Sequence, residues 1–132
     1  MSARIKILTV IYIFILAGII ILADVRQTQY LFTFIKSLPF GDKIGHFCLM
    51  GMLSLLVNLA LNAKTFRFWK LNYLLGSLIV LTVVTAEEFS QIFVRGRTFD
   101  AGDLVFDYAG IFIFGETARF NCRKVNSGWN FY

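Results

Sequence analysis

Charged residues and proline are scarce in this chain of 132 residues, with 16% of positions charged and a single proline. Hydrophobic residues make up 58% of the chain, aromatic residues make up 17%, and the mean hydropathy is +0.70. A water-soluble domain of this length could not bury so much apolar surface, because the buried fraction grows with chain size. The composition therefore excludes an ordinary soluble domain, and the length favours one membrane domain over residues 1–132.

Cysteine and histidine are also scarce, with two cysteines and one histidine. Cys48 lies in an apolar run and Cys122 in a basic tail, so neither a disulfide nor a CxxC metal site is expected. The 13 basic residues outnumber the 8 acids, yet no basic stripe with interleaved aromatic residues stands out. Nucleic acid is therefore not expected as a partner, and no cofactor is expected.

Four apolar runs predict four transmembrane helices, at about residues 5–24, 43–62, 71–94 and 102–120. The first follows two basic residues as a signal peptide would, but it is longer than usual and lacks an A-x-A-like site, so a retained helix is predicted. Between the first two helices, the aromatic stretch "YLFTFIKSLPF" predicts a short helix at the membrane interface or a reentrant turn. The predicted fold class is an all-α integral membrane protein, a bundle of four transmembrane helices.

The basic residues predict the orientation of this bundle. With the N-terminus inside, eight of them fall on the inner side and five on the outer side. Because inner loops carry an excess of Lys and Arg, both termini are predicted inside, with "AKTFRFWK" as a compact inner loop. Seven of the eight acids, all but Glu116, and the histidine then lie at or near the outer surface.

Polar residues from the second and fourth helices should meet at this outer end. Asp42 and His46 are four residues apart and share one face of the second helix, as Asp103 and Asp107 do in the fourth. His46 could act as a general base, a proton relay or a metal ligand, or simply hydrogen-bond a carboxylate. A zinc site normally has more nitrogen or sulfur ligands, so no metal is expected.

The third helix contributes Glu88, Gln91 and Arg95, whose spacing of three and four places them on one face. A carboxylate in a membrane helix needs an inward-facing partner, and Arg95 and Arg97 are the candidates because a guanidinium can bind a carboxylate and an anionic ligand together. The turn "RGRTFDAGD" also has a plain interpretation, in which its glycines form the bends and Asp100 or Asp103 caps the fourth helix.

The segments "DKIGHF" and "EFSQIFVRGRTFDAGDLVFDYAG" resemble the VanZ-like family of small bacterial membrane proteins. The family pattern is roughly D-K-x-x-H, E-x-x-Q, R-[ST]-F-D and D-L-x-x-N-x-x-G, with Asp107 in place of the usual Asn. The matching residues are Asp42, Lys43, His46, Glu88, Gln91, Arg97, Phe99, Asp100, Asp103 and Gly110. The resemblance implies a protein of the bacterial cytoplasmic (inner) membrane, in a family whose namesake is associated with low-level teicoplanin resistance.

The first functional hypothesis is a cell-envelope protein whose outward polar pocket binds a lipid-linked or glycopeptide-like ligand, and it leaves open whether the protein also modifies that ligand. Its catalytic candidates are His46, Glu88 and Asp103, and its ligand-binding candidates are Asp42, Lys43, Gln91, Arg95, Arg97, Asp100 and Asp107. The alternative is an accessory or structural subunit of a larger membrane complex, with the polar residues clamping the helices. A transporter or channel is disfavoured, because few polar residues lie deeper in the helices.

Overall fold

A computed structural model describes residues 3–24, 33, 37, 39–94 and 99–128. Within these ranges the chain is mostly helical, with a small antiparallel hairpin. The elements are α1 (Ala3–Asp24), α2 (Gly41–Ala60), β1 (Thr65–Phe68), β2 (Leu71–Leu74), α3 (Leu75–Ser90), which continues as a 3-10 turn over Gln91–Phe93, and α4 (Ala101–Gly128). The interfacial helix predicted between the first two helices falls almost entirely outside the described residues.

Helices α2 and α4 form the closest packing in the molecule and run parallel to each other. A side chain on Gly110 would overlap the carbonyl oxygen of Phe47, so glycine is what allows the two backbones to approach. One turn further on, Phe114 of α4 packs over Gly51 and makes an edge-to-face contact with Phe47 at 5.8 Å between ring centroids. This contact fixes the register of α2 against α4.

The apolar core lies where the four helices meet, and each helix contributes to it. Its buried members are Leu16, Met50, Leu53, Val80, Val84 and Ile111. Helix α1 is attached mainly to α2, where the Tyr12 hydroxyl donates to the carbonyl of Leu49 at 2.9 Å. Much of the remaining surface of α1 is apolar and exposed, including Phe14 at 74%.

A small polar network joins α2, α3 and α4 below the core. Asn58 Nδ2 donates to Ser77 Oγ at 2.9 Å, and Ser54 Oγ donates to the carbonyl of Ile111 at 2.9 Å. Ser54 and Asn58 are fully buried, and a side chain on Gly115 would overlap Ser77 Oγ. Small residues and hydrogen bonds let membrane helices pack closely, and this network pairs the buried hydroxyl groups and Asn58 Nδ2, whereas Asn58 Oδ1 has no hydrogen-bond partner among the described residues.

The segment between α2 and α3 departs from the prediction. The third helix was expected to start at residue 71, but Leu71–Leu74 is strand β2, paired with β1 from Thr65↔Leu74 to Phe68↔Leu71. Trp69 adopts a positive φ of 57° in the tight turn between the strands. The chain is therefore not purely α-helical, and α3 begins four residues later than expected, at Leu75.

Among the described residues, three helical stretches are long and apolar enough to cross a membrane: Ala3–Leu22, Gly41–Ala60 and Leu75–Phe93. The fourth helix, expected over residues 102–120, extends over Ala101–Gly128 and carries more charge. Its length alone would cross a bilayer, since a helix rises ~1.5 Å per residue and the hydrocarbon layer is ~30 Å thick. The described residues thus contain four long helices.

The glycine contact between α2 and α4 can be tested directly. Gly110→Ala should lower the free energy of unfolding in detergent by roughly 1–3 kcal/mol, because the new methyl group displaces the Phe47 backbone. The control is Gly45→Ala in α2, where an added Cβ meets nothing within 4 Å and helix propensity alone should leave stability unchanged or up to ~1 kcal/mol higher. Equal effects of both substitutions on the unfolding transition would contradict this packing.

Candidate functional site

Eight of the predicted site residues come together where α2 and α4 begin and α3 ends. We call this group the polar cluster, and its members are Asp42, Lys43, His46, Glu88, Gln91, Asp100, Asp103 and Asp107. Parallel packing of α2 and α4 brings their N-terminal turns together. Residues four apart share a helix face, so Asp42 and His46 on α2 lie opposite Asp103 and Asp107 on α4. The expectation that separate helices would bring polar residues to one end is confirmed for these described residues.

Lys43 links α2 to the start of α4. Its Nζ lies 3.0 Å from Asp100 Oδ2 and 3.0 Å from Asp103 Oδ1, so one ammonium group bridges two carboxylates. Gly102 makes room for this bridge, since a Cβ there would lie 2.7 Å from Lys43 Nζ. The lysine is partly exposed, and it closes the solvent side of the cluster.

His46 sits between the two aspartates of α4. Its Nδ1 lies 3.1 Å from Asp107 Oδ1 and 3.3 Å from Oδ2, and its Nε2 lies 3.7 Å from Asp103 Oδ2. An ionised carboxylate only accepts hydrogen bonds, so the contact with Asp107 places a proton on Nδ1. Since Asp107 is 1% exposed, the imidazole is held in a fixed orientation by a buried partner.

The N-terminus of α4 is capped by Asp100. Its Oδ1 accepts a hydrogen bond from the backbone N–H of Gly102 at 2.7 Å, which confirms that one of the two predicted aspartates caps this helix. At the start of α2 the cap position is occupied by Phe40, with a φ of 61°, and Asp42 lies inside the first turn. Both aspartates still face the positive end of a helix dipole, which favours a carboxylate there.

Glu88 brings α3 into the cluster and is fully buried. Its Oε2 accepts from Gln91 Nε2 at 3.0 Å and its Oε1 accepts from the backbone N–H of Asp100 at 3.1 Å. The predicted shared face of Glu88 and Gln91 is therefore confirmed, and Gln91 also donates to Glu87 at 3.1 Å. The predicted arginine partners, Arg95 and Arg97, lie outside the described residues.

The described part of the cluster carries an excess of negative charge. Five carboxylates face one ammonium group and one imidazole, and Glu88, Asp103 and Asp107 are each less than 10% exposed. Removing a charged group from water is costly, and like charges at this spacing repel one another. The polar cluster therefore attracts protons or cations.

Two groups of side chains in the cluster have the composition of a metal site. Asp42, His46 and Asp103 form one, and His46, Glu88 and Asp107 form the other; in each, the potential ligand atoms lie within 4.8 Å of one another. Both groups share His46 and join at least two helices. The second is more deeply buried, whereas the first reaches the surface at Asp42.

Some inter-helix contacts near the cluster could not be read from the sequence. Thr85 and Tyr108 share a hydrogen bond of 2.7 Å between their hydroxyl groups, joining α3 to α4 one turn below Glu88. The rings of Phe89 and Phe99 stack with centroids 5.3 Å apart and tie the end of α3 to the segment before α4. These residues are common in apolar helices, so composition gave no signal for their pairing.

A separate groove lies between β2, α3 and α4, with a volume of about 490 Å³. Its walls are mostly apolar, and Glu116 and Arg119, which contact each other at 3.3 Å, line it as well. Glu116 lies ~20 Å from Asp103 along α4 at ~1.5 Å per residue. The groove is therefore distinct from the polar cluster.

Comparison of the chain with family models, with curated proteins and with solved structures found no match. No relative therefore assigns a ligand or a reaction to the polar cluster.

The contact with Lys43 gives the rim of the cluster a pH dependence. The hydrogen bond from Lys43 to Asp100 holds the pKa of the Asp100 carboxyl group below its ordinary value of 3.8, and the hydrogen bond from the Gly102 N–H contributes a smaller lowering. A depressed pKa in the folded state means that the contact stabilises the fold above pH ~4, and that this contribution is lost as pH falls through the folded-state pKa. Lys43→Gln should raise the pKa of Asp100 toward its ordinary value, as measured by carboxyl-selective NMR in micelles. An unchanged titration curve would contradict the Lys43–Asp100 contact.

Proposed function

We propose that this chain is a polytopic membrane protein of the bacterial cell envelope, in which α1, α2, α3 and α4 cross the cytoplasmic membrane as a bundle. Its support is the combination of three stretches long and apolar enough to cross a membrane with many large apolar side chains left exposed, such as Phe14, Phe112 and Val83. Lipid would cover these side chains, since apolar patches of this extent are costly in water.

In this proposal both termini are inside, and the hairpin of residues 65–74 lies on the inner face. The hairpin combines cations with exposed aromatic side chains, including Arg67 and Lys70 beside Phe68 at 63% and Trp69 at 86% exposed. Aromatic rings are favoured at the membrane–water interface, and cations are favoured on the inner side. The polar cluster, at the other end of α2 and α3, then faces outward.

The orientation is testable with one cysteine placed just before α2 and another in the hairpin that follows α2. With Cys48 and Cys122 replaced by serine, we expect Phe40→Cys to react in intact cells with a membrane-impermeant maleimide, because residue 40 is exposed at the outer end. Trp69→Cys should react only after the cells are opened. The reverse pattern of labelling would contradict the proposed orientation.

The polar cluster is proposed to bind the polar part of a lipid-linked or glycopeptide-like ligand on the outer face. The observation that carries this proposal is the burial of Glu88, Asp103 and Asp107 around one histidine. Buried charges seldom raise stability above that of a hydrophobic core, so their presence in membrane helices favours a functional site. In any modification of the ligand, His46 and Asp103 are placed to transfer a proton.

The resemblance to VanZ-like proteins supplies the ligand class in this proposal. Lys43 and Asp100 lie at the partly exposed rim and would meet the ligand first. Arg95 and Arg97, which precede Asp100 in sequence, remain the proposed contacts for an anionic group. The cellular consequence would be reduced susceptibility to teicoplanin.

The alternative function is a structural one, in a subunit of a larger membrane complex. Its support is that the charges of the cluster pair with one another: Lys43 with Asp100 and Asp103, and His46 with Asp107. In that case the cluster acts as a clamp that ties α2, α3 and α4 together, with Glu88 of α3 accepting from the backbone N–H of Asp100 before α4. Breaking the clamp leaves a buried charge without compensation.

Glu88→Gln separates the two functions, because glutamine keeps the shape of the side chain while removing its charge. The binding proposal predicts that a bacterium producing this variant loses the teicoplanin tolerance conferred by the unmodified chain, while the melting temperature in detergent stays within ~2 °C. If the cluster is a clamp, Glu88→Gln should have a lower melting temperature and should lose function only in proportion to its loss of folded protein. The unmodified chain should then co-purify with partner subunits.

The matched control is Glu116→Gln, which also removes one carboxylate charge but lies on α4 outside the polar cluster. It should leave tolerance and melting temperature unchanged. The binding proposal fails if the unmodified chain gives no change in tolerance, or if Glu88→Gln behaves like the control in both measurements.

A further inference from the structure

We infer that the outer edge of the polar cluster is a binding site for one divalent metal ion, with Asp42, His46 and Asp103 as ligands. The sequence had predicted no metal, because a single histidine is few for zinc. The inference deepens the proposed function by naming what the site holds, and so it rests on the same residues. Metal binding can nevertheless be measured without any lipid-linked or glycopeptide ligand.

The first support is the orientation of His46. Asp107 Oδ1 accepts a hydrogen bond from His46 Nδ1–H at 3.1 Å, which leaves Nε2 as the nitrogen that can bind a metal. Metal-binding histidines usually donate their other ring N–H to a carboxylate or carbonyl in this way. The burial of Asp107 makes it a positioning residue for the imidazole rather than a ligand.

The second support is the spacing of the ligand atoms. His46 Nε2 and Asp103 Oδ2 are 3.7 Å apart, too far for a hydrogen bond yet close enough for one ion to contact both at ~2.1 Å. Asp42 lies one turn before His46 on α2, and one potential ligand atom from each of Asp42, His46 and Asp103 lies within 4.8 Å of the others. Lys43 holds the other oxygen of Asp103 at 3.0 Å and so orients this ligand as well.

The third support is charge. The same carboxylates that would retain a proton on His46 Nε2 would retain a cation there, and a divalent ion offsets more of the excess negative charge. Two carboxylates and one imidazole suit Mn²⁺ or Mg²⁺ better than thiophilic ions. Three protein ligands leave coordination positions open for water or for an oxygen of a bound ligand.

This assignment resolves a difficulty in the proposed function. Among the described residues the cluster is negative, and would repel a phosphate or carboxylate group on its own. A metal ion at the partly exposed edge of the cluster would bind such a group and the carboxylates together. The class of ligand that fits best is therefore an anionic head group that binds through the metal.

The test uses the full chain in detergent micelles, freed of metal with a chelator and titrated with Mn²⁺ alone. Electron paramagnetic resonance should show one bound Mn²⁺ per chain, with a nitrogen coupling from a directly bonded imidazole. Asp103→Asn should weaken binding by about tenfold or more, since loss even of a supporting residue costs 10–100-fold. His46→Gln should remove the nitrogen coupling.

The matched control is Glu116→Gln, which removes one carboxylate from the same helix as Asp103 but lies outside the cluster; it should bind Mn²⁺ as the unmodified chain does. If Asp103→Asn does not fold, as judged by helical circular dichroism, the exposed Asp42→Asn decides and should also weaken binding. The inference is overturned if the folded chain binds no Mn²⁺ saturably, or if Asp42→Asn and His46→Gln bind it unchanged. Mn²⁺ binding without any effect on teicoplanin susceptibility would support the metal site and count against the proposed function alone.

Discussion

Ionisable side chains that are buried in an apolar helix bundle need one another as partners, and this constraint shapes the end of the molecule where α2 and α4 begin. Lys43 and His46 on α2 face Asp100, which caps α4, and Asp103 and Asp107 within α4, at distances of 3.0–3.7 Å. Without its partner, a buried carboxylate such as Asp107 would cost several kcal/mol. The parallel arrangement of α2 and α4, and the position of the turn before α4, follow from satisfying these contacts.

The apolar packing below makes the contacts possible. Gly110 lets α4 approach the backbone of α2 at Phe47, and Ser54 and Asn58 hold the same helices further down through hydrogen bonds. Because the backbones are fixed at both levels, the side chains of the polar cluster cannot move apart to gain solvent. A preorganised set of carboxylates around one imidazole is the result, and such a set attracts protons or cations.

Periodicity predicted the helices and the faces that carry the cluster, because Asp42 and His46, and Asp103 and Asp107, recur at the helical spacing of four. It could not predict the hairpin, since Leu71–Leu74 continues directly into the apolar helix that follows, and pairing with Thr65–Phe68 depends on a turn at Trp69. Nor could it assign partners: Glu88 accepts from the Asp100 backbone, a contact set by the path of the chain between α3 and α4. Pairing depends on tertiary packing, which no local pattern encodes.

We expect His46 and Asp107 to be energetically coupled across the α2–α4 contact. A double-mutant cycle with His46→Gln and Asp107→Asn, followed by reversible unfolding in detergent without metal, measures that coupling most directly. Contact across 3.1 Å in a buried site predicts an interaction free energy of about 0.5–3 kcal/mol between the two positions. Additive effects of the two substitutions, with no coupling beyond experimental error, would contradict the account.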